Sequence, residues 1–384
     1  MLREVLLLES NNPKFASVVR AHDFLWLSSV DGVYKVGTFE LDEEAFSKGP
    51  AQAANAYSEI VRRLEECGVS GSAPVRIEHA TASQDWRLQR MALWPNHFGL
   101  PTTAVSQGYQ GKMIRQNMIT VGVVAAMPNV ARELISPGPN SGRASRVTRA
   151  ADFVFIIGVR GEVLLSDGTS CSDGLIEHTE IHIDRSMANI DFHLAAAGLS
   201  GKDLVRIDAF LRSPQDAVLF RKRMDAYMKT TGGRFSINAF ACPLGGSTDI
   251  EISAIASCVS QGITKESDVS KTNLSVVSSG FGFISTCLMD SGNLIEASLP
   301  NTIDGQFEFG LKVLKQRVSN LGSNAVLDDI VRLDIFLTSP YARPVVEKLL
   351  IEAFNGSIVP PVVWHGSDLP EGLQIDVSAV VAIA

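Results

Sequence analysis

The chain has 384 residues, of which 45% are hydrophobic and 20% charged, and a net charge of −8. That length predicts two or three domains with a sizeable core, and the composition excludes a disordered chain. No basic block answers a nucleic-acid backbone, and the longest apolar runs are of strand length, so neither nucleic acid nor membrane is an expected partner.

The N-terminal MLREVLLLESNN brackets its short apolar stretch with Glu4 and Glu9, unlike a secretory leader. Cysteine is odd in number (Cys67, Cys171, Cys242, Cys258, Cys287) and shows no CxxC spacing. This predicts reduced thiols in a cytoplasmic protein, without a disulfide frame or a zinc knuckle.

FLWLSS at 24–29 opens a strand that recurs as FVFIIG at 153–158 and FGFIST at 281–286. Their phenylalanines, Phe24, Phe153 and Phe281, lie 129 and 128 residues apart. A second marker, PVRIE, LVRID and IVRLD, spaces Arg76, Arg206 and Arg332 by 130 and 126 residues. Agreement of two markers identifies a threefold internal repeat. Its units run over 1–128, 129–259 and 260–384.

After each aromatic strand an apolar stripe at helical spacing ends near a glycine, the usual left-handed stop. The stripes are Ala54, Tyr57, Ile60, Val61 and Leu64; Met187, Ile190 and Leu194; and Phe307, Leu311, Leu314, Val318 and Leu321. The arginine strand follows. Ser213-Pro214 and Ser339-Pro340 then predict a second helix with serine as N-cap and proline in the first turn. Closing strands are expected at 118–125, 249–257 and 374–383, with linkers at 136–145 and 260–272. The pattern predicts α+β units with helices on one face of a sheet, and three such bodies can close head to tail.

The last unit ends FNGSIVPPVVWHGSDLPEGLQIDVSAVVAIA, 354–384. With VRLDIFLTSP and the paired helices, it resembles the RidA family of reactive-intermediate deaminases, over the whole chain but faintly in unit one. The resemblance implies three tandem chorismate-mutase-like domains in a pseudo-threefold ring, a monomeric pseudo-trimer or a higher homo-oligomer of it. It implies clefts between units and hydrolysis of an enamine or imine without metal or other cofactor.

In that family an arginine, a Leu-Pro step nine residues on and a glutamate on the last strand form the closing motif. Unit two matches with Arg234, Cys242-Pro243 and Glu251. Unit three has Asp376 for the glutamate and Pro361 for the arginine, and unit one has Pro101-Thr102-Thr103, with a threonine for the arginine, and no carboxylate. The resemblance thus implies Arg234 as the fork for a substrate carboxylate and Glu251 as the acid–base group. Gly158 would let the ligand approach the backbone, and Arg160 offers a second clamp, which would suit a dicarboxylate such as an aminomuconate-like intermediate. The chemistry fits the residue types: arginine is the planar bidentate donor, and a carboxylate can take a proton from water and return it to nitrogen.

Two other readings stay open. Chorismatases resemble fused units of this fold and also need arginine and glutamate, and unequal clefts would equally serve a small-carboxylate binder without turnover. Elsewhere, His178, Glu180 and His182 form an H-x-E-x-H run, but it enters a predicted helix where such positions diverge, and metal binding is not expected. Cys242 and Cys287 read as buried thiols, and His365 as a structural histidine.

Overall fold

The computed structural model describes all residues except 1, 84, 86, 100–103, 115, 138–144, 162, 165–169, 172–178, 245–247, 260–274, 290–298 and 323. The expected linkers therefore lie largely outside the described residues.

Strands β1 (Glu4–Glu9), β2 (Asn12–Ala21) and β3 (Phe24–Asp31) form an antiparallel meander. Helix α1 (Gly49–Glu66), strand β4 (Pro74–Thr81), short helices α2 (Arg87–Ala92) and α3 (Trp94–Phe98), and strands β5 (Val105–Gln110) and β6 (Ile119–Ala126) complete the first third. The middle third opens with β7 (Arg132–Pro137), β8 (Ser145–Ala150) and β9 (Phe153–Arg160). The short pair β10 (Val163–Leu164) and β11 (Ser170–Cys171) leads to α4 (Thr179–Ala196), β12 (Leu204–Leu211), α5 (Asp216–Thr231), β13 (Ser236–Ala241) and β14 (Ile250–Ser257). The last third contains β15 (Ser275–Ser278), β16 (Phe281–Ile284), α6 (Ile303–Leu321), β17 (Ile330–Leu337), α7 (Arg343–Ala353), β18 (Val362–Gly366) and β19 (Ile375–Ala382).

One strand order occurs in all three: hairpin strand, closing strand, arginine strand, then a parallel partner. It reads β3-β6-β4-β5, β9-β14-β12-β13 and β16-β19-β17-β18. The crossover to the parallel partner is what requires the second helix, because a parallel pair cannot be joined by a tight turn. A parallel pairing of Val105 with Ser145 joins the first two sets into a 12-stranded sheet, and the third is a 5-stranded sheet.

The long helices bury the predicted stripes. Tyr57, Ile60 and Leu64 are buried in the first, Met187, Ile190 and Leu194 in the second, and all five apolar stripe residues in α6. Ala54 and Val61 are only half-buried; the first stripe is carried instead by Ala53 and Ala56. The second helices begin later than expected. Ser213 bonds to Gln215 and α5 starts at Asp216, while Ser339 precedes a single 3-10 turn and makes no side-chain cap. Their proline-led segments are turns that aim the helix rather than its first turn.

Both repeat markers meet their copies in the centre. The rings of Phe24, Phe153 and Phe281 form an edge-to-face triangle with centroid separations of 5.9, 6.1 and 5.9 Å. Next to each arginine the pairing with the closing strand slips, between Pro74 and Arg76, Leu204 and Arg206, and Ile330 and Arg332. Such a bulge turns two successive side chains to one side. Val75, Val205 and Val331 consequently pack with the phenylalanines, and the arginines that follow face one another's neighbours.

The result is a closed cycle of buried ion pairs. Arg76 contacts Glu78 at 2.6 Å and Asp208 at 2.5 Å; Arg206 contacts Asp208 and Asp334, each at 2.8 Å; Arg332 contacts Asp334 at 2.5 Å and returns to Glu78. Burial opposes ionisation of Asp208, Asp334 and Glu78, yet the arginines hold all three carboxyls below their ordinary range. Among the described residues no helix is long and apolar enough to cross a membrane.

Candidate functional site

Glu251 sits where the first and middle thirds meet. Pairing of β14 with β9 sets it opposite Arg160, and pairing with β12 sets it opposite Phe210. Its Oε2 accepts Arg160 Nε at 2.7 Å, and its Oε1 accepts Gln107 Nε2 at 2.7 Å from β5 of the preceding third. Gln107 is wholly buried, and its side-chain Oε1 accepts Ser253 Oγ at 2.6 Å and the Gly158 N–H at 3.1 Å. Gly158 has φ +68°, the left-handed region, and a Cβ there would stand 3.5 Å from Glu251 Oε1. Arg146 Nη1 donates to the Gly158 carbonyl at 2.9 Å, at the irregularity in the β9–β14 pairing. Gly158, Arg160 and Ser106 are half-buried and form the outward rim of this cluster.

The structure brings Glu251, Gly158 and Arg160 together and leaves Arg234 out. Register explains why: Phe210 is level with both Glu251 and Phe240, whereas Arg234 lies six residues before Phe240, beyond the start of β13. At ~3.3 Å per residue that is about 20 Å along the sheet. Arg234 is exposed, two residues past the left-handed Gly232 that ends α5. The arginine that meets the glutamate is Arg160, from the hairpin strand.

The other thirds carry different groups at Glu251's register. Phe336 pairs with Asp376, and Ala80 with Thr120. Asp376 accepts the N–H groups of Leu288, Met289 and Val377 at 2.8, 2.9 and 2.8 Å, and so fixes the turn after β16. Burial pushes its carboxyl up despite these bonds. Register also sets Val359, not Pro361, at the level of Arg234, since Leu333 pairs with Val362 as Ile207 pairs with Ile237. Pro101-Thr102-Thr103 lies outside the described residues. In the first third the polarity is reversed: Asp31 stands opposite Thr120, where β9 and β14 set Arg160 opposite Glu251.

The chain is similar in fold to solved proteins of two kinds. A chorismatase is 11% identical over 81% of this chain and 93% of its own, with a TM-score of 0.48. The Rid-family protein YyfA from Yersinia pestis is 18% identical over 33% of this chain and 99% of its own, with a TM-score of 0.28. The YjgF gene product of E. coli is 18% identical over 33% of this chain and 94% of its own, with a TM-score of 0.27. No family model matches the sequence, and no curated protein matches it.

The remaining candidates are structural on their contacts. Glu180 is exposed and pairs with Arg223, while His182 is buried with Nδ1 3.2 Å from Asp249, so the two diverge; His178 lies outside the described residues. Burial, then the charges of Glu251 and Asp368, pushes the Cys242 thiol well above its ordinary range, and burial takes Cys287 up to about 12. Neither is a ready thiolate. His365 bonds Tyr109 Oη at 2.6 Å and Asp334 at 3.1 Å, bracing the ion cycle from one side.

The junction of the first and last thirds holds two adjoining cavities of about 230 and 380 Å³. Both are lined by Asp31, Tyr34, Arg343, Glu347 and Trp364, which stand between them. Neither these cavities nor Gln107 could be read from the sequence, because the groups come from segments far apart in the chain.

Proposed function

We propose that the chain is a pseudo-threefold ring of RidA-like units, bounded near 1–128, 129–259 and 260–384, and an enamine/imine deaminase acting at Glu251. The phenylalanine triangle and the cycle of ion pairs support closure, because each joins all three copies of one motif around one centre. The observation that carries the activity is the Glu251 carboxylate, buried at a junction, fixed by Gln107 and ion-paired to a half-buried arginine.

A 2-imino acid brings its own carboxylate, which competes with Glu251 for Arg160. Drawing Arg160 away leaves Glu251 held by Gln107 and able to accept a proton. Water then adds to the C=N carbon, Glu251 takes its proton, and the nitrogen receives the proton back. Collapse of the carbinolamine breaks the C–N bond, giving a 2-keto acid and ammonia; one water is consumed and nothing is oxidised. The rim at Gly158 lets the substrate lie against the backbone, since no Cβ intervenes.

The test is ammonia release from a 2-imino acid generated in situ. Glu251→Gln should lower kcat about 10²-fold or more, the usual range for general acid–base help. Arg160→Ala should raise KM, while Arg234→Ala should change neither constant. Full activity in Glu251→Gln would rule this reading out.

A further inference from the structure

Each long helix buries one polar side chain near its start, at the same place. Gln52, His182 and Gln306 lie eight residues before Ile60, Ile190 and Leu314 of the apolar stripes, and all three are wholly buried or nearly so. The two glutamines act alike. Gln52 Oε1 accepts the Met118 N–H at 2.7 Å while its Nε2 donates to the Gln116 carbonyl at 2.8 Å. Gln306 Oε1 accepts the Gln374 N–H at 2.7 Å while its Nε2 donates to the Gly372 carbonyl at 2.7 Å. Each ties down the residue that leads into a closing strand, β6 or β19, two places before Thr120 or Asp376.

In the middle third a histidine takes that place. Its Nδ1 accepts the Asp249 N–H at 3.4 Å, and Asp249 stands two residues before Glu251 as Met118 and Gln374 stand before Thr120 and Asp376. A ring nitrogen accepts only while it carries no proton. The same Nδ1 is 3.2 Å from Asp249 Oδ2, so a proton arriving there meets a carboxylate. Glutamine has no such alternative. Around the pair stand Arg212, on Asp249 Oδ1 at 3.2 Å; Arg223 of α5, with Glu180 and Asp184 of α4; and Arg160 of β9, with Glu251. Arg185 is the other charge close by on α4, and Asp216 opens α5, where burial and then the Asp249 charge push its carboxyl up.

We propose that His182 is a pH-sensitive positioning residue for the strand that carries Glu251. Neutral, it holds the Asp249 N–H as Gln52 and Gln306 hold theirs; protonated, it releases that N–H and donates to the Asp249 carboxylate. One proton is taken from solvent and no covalent bond changes. The start of β14 then hangs on a side-chain contact instead of a backbone one, so Glu251, two residues on, loses the anchor that sets its height on the sheet. Only this last link, to activity, rests on the proposed role of Glu251.

Nuclear magnetic resonance on the full chain, with 15N in the backbone and the histidine rings, tests this. Neutral His182, assigned by its loss in His182→Gln, should carry its proton on Nε2. On acidification the Asp249 amide should shift with the midpoint of the His182 ring. It should also lose about tenfold of its exchange protection, corrected for intrinsic rate, as one net hydrogen bond predicts. The Met118 and Gln374 amides should stay flat. His182→Gln should keep the Asp249 amide protected across the whole range, and His182→Leu should leave it unprotected throughout; the glutamine variant decides if the leucine variant fails to fold. In the ammonia assay the His182 midpoint should appear in kcat of the wild type, not in KM, and vanish in His182→Gln. A neutral ring protonated at Nδ1, or an Asp249 amide that ignores the His182 titration, would overturn the proposal whatever the activity. A chain without deaminase activity whose Asp249 amide follows His182 would uphold the switch and refute only the reading of Glu251.

Discussion

Arg206→Met removes one guanidinium from the central cycle while keeping the length of the side chain. The wild-type Nη2 bonds Asp334 at 2.8 Å and Nε bonds Asp208 at 2.9 Å, and neither acid is more than slightly exposed. The variant leaves three buried carboxylates facing two guanidiniums. Breaking one partner out of a buried ionic set costs about 3–5 kcal/mol. The lower end is expected, because Asp208 keeps Arg76 and Asn238, and Asp334 keeps Arg332 and His365. Urea unfolding followed by circular dichroism reads this as a fall in midpoint at unchanged slope. Arg62→Met is the control: its pairs with Glu59 and Glu66 are partly exposed, and such pairs contribute about 1 kcal/mol or less. A loss below about 1 kcal/mol for Arg206→Met would show that the cycle is not a stabilising unit.

Acid should destabilise the fold in two ranges. Burial, with Arg146 adding to it, lowers His193 to about 4, and burial lowers His79 as well; both are folded as neutral rings, so stability present above pH ~6.5 falls as pH drops from there toward 4. Glu78, Asp208 and Asp334 have depressed folded pKa values, so their contribution is full above about pH 4 and is lost below it; a single acid transition confined below pH 4 would contradict the first part. Gly158→Ala should cost about 1–2 kcal/mol in thermal unfolding, since its φ of +68° is unfavourable for a residue with a Cβ; an unchanged Tm would show that the strand relaxes freely there. In a Cys171→Ser chain, a thiol reagent should label exposed Cys258 first and half-buried Cys67 next, with Cys242 and Cys287 reacting only on unfolding, as peptide mapping over time would show.

The repeated strands were legible because their markers are buried. Phe24, Phe153 and Phe281 and the three VR(I/L)(D/E) strands must each fill the same kind of space, so they keep their identity and their spacing. What the arginines do was not legible. Strand alternation leaves open which face meets a neighbouring unit, and the bulge that turns Arg76, Arg206 and Arg332 inward has no local signature. The site was half legible. Glu251, Gly158 and Arg160 converge because β9 and β14 pair side by side. Arg234 owes its candidacy to its distance along the chain from Pro243, and chain distance does not say at which end of a sheet a residue emerges. Gln107 reaches Glu251 across 144 residues, and no local pattern announces it. Asp31 lies at the register of Arg160 with the opposite charge, and only the pairing reveals that they correspond.

The ion cycle also sets a timetable for synthesis. Arg76 finds Asp208 only after 132 further residues are made, and Glu78 waits 254 residues for Arg332. Until then each strand holds one cation beside one anion, neutral as a pair but without its cross-strand partners. An emerging chain thus carries its first arginine strands as neutral pairs whose cross-strand contacts are still open. The last charges to arrive close those contacts, so the final arginine strand acts as the latch on everything translated before it.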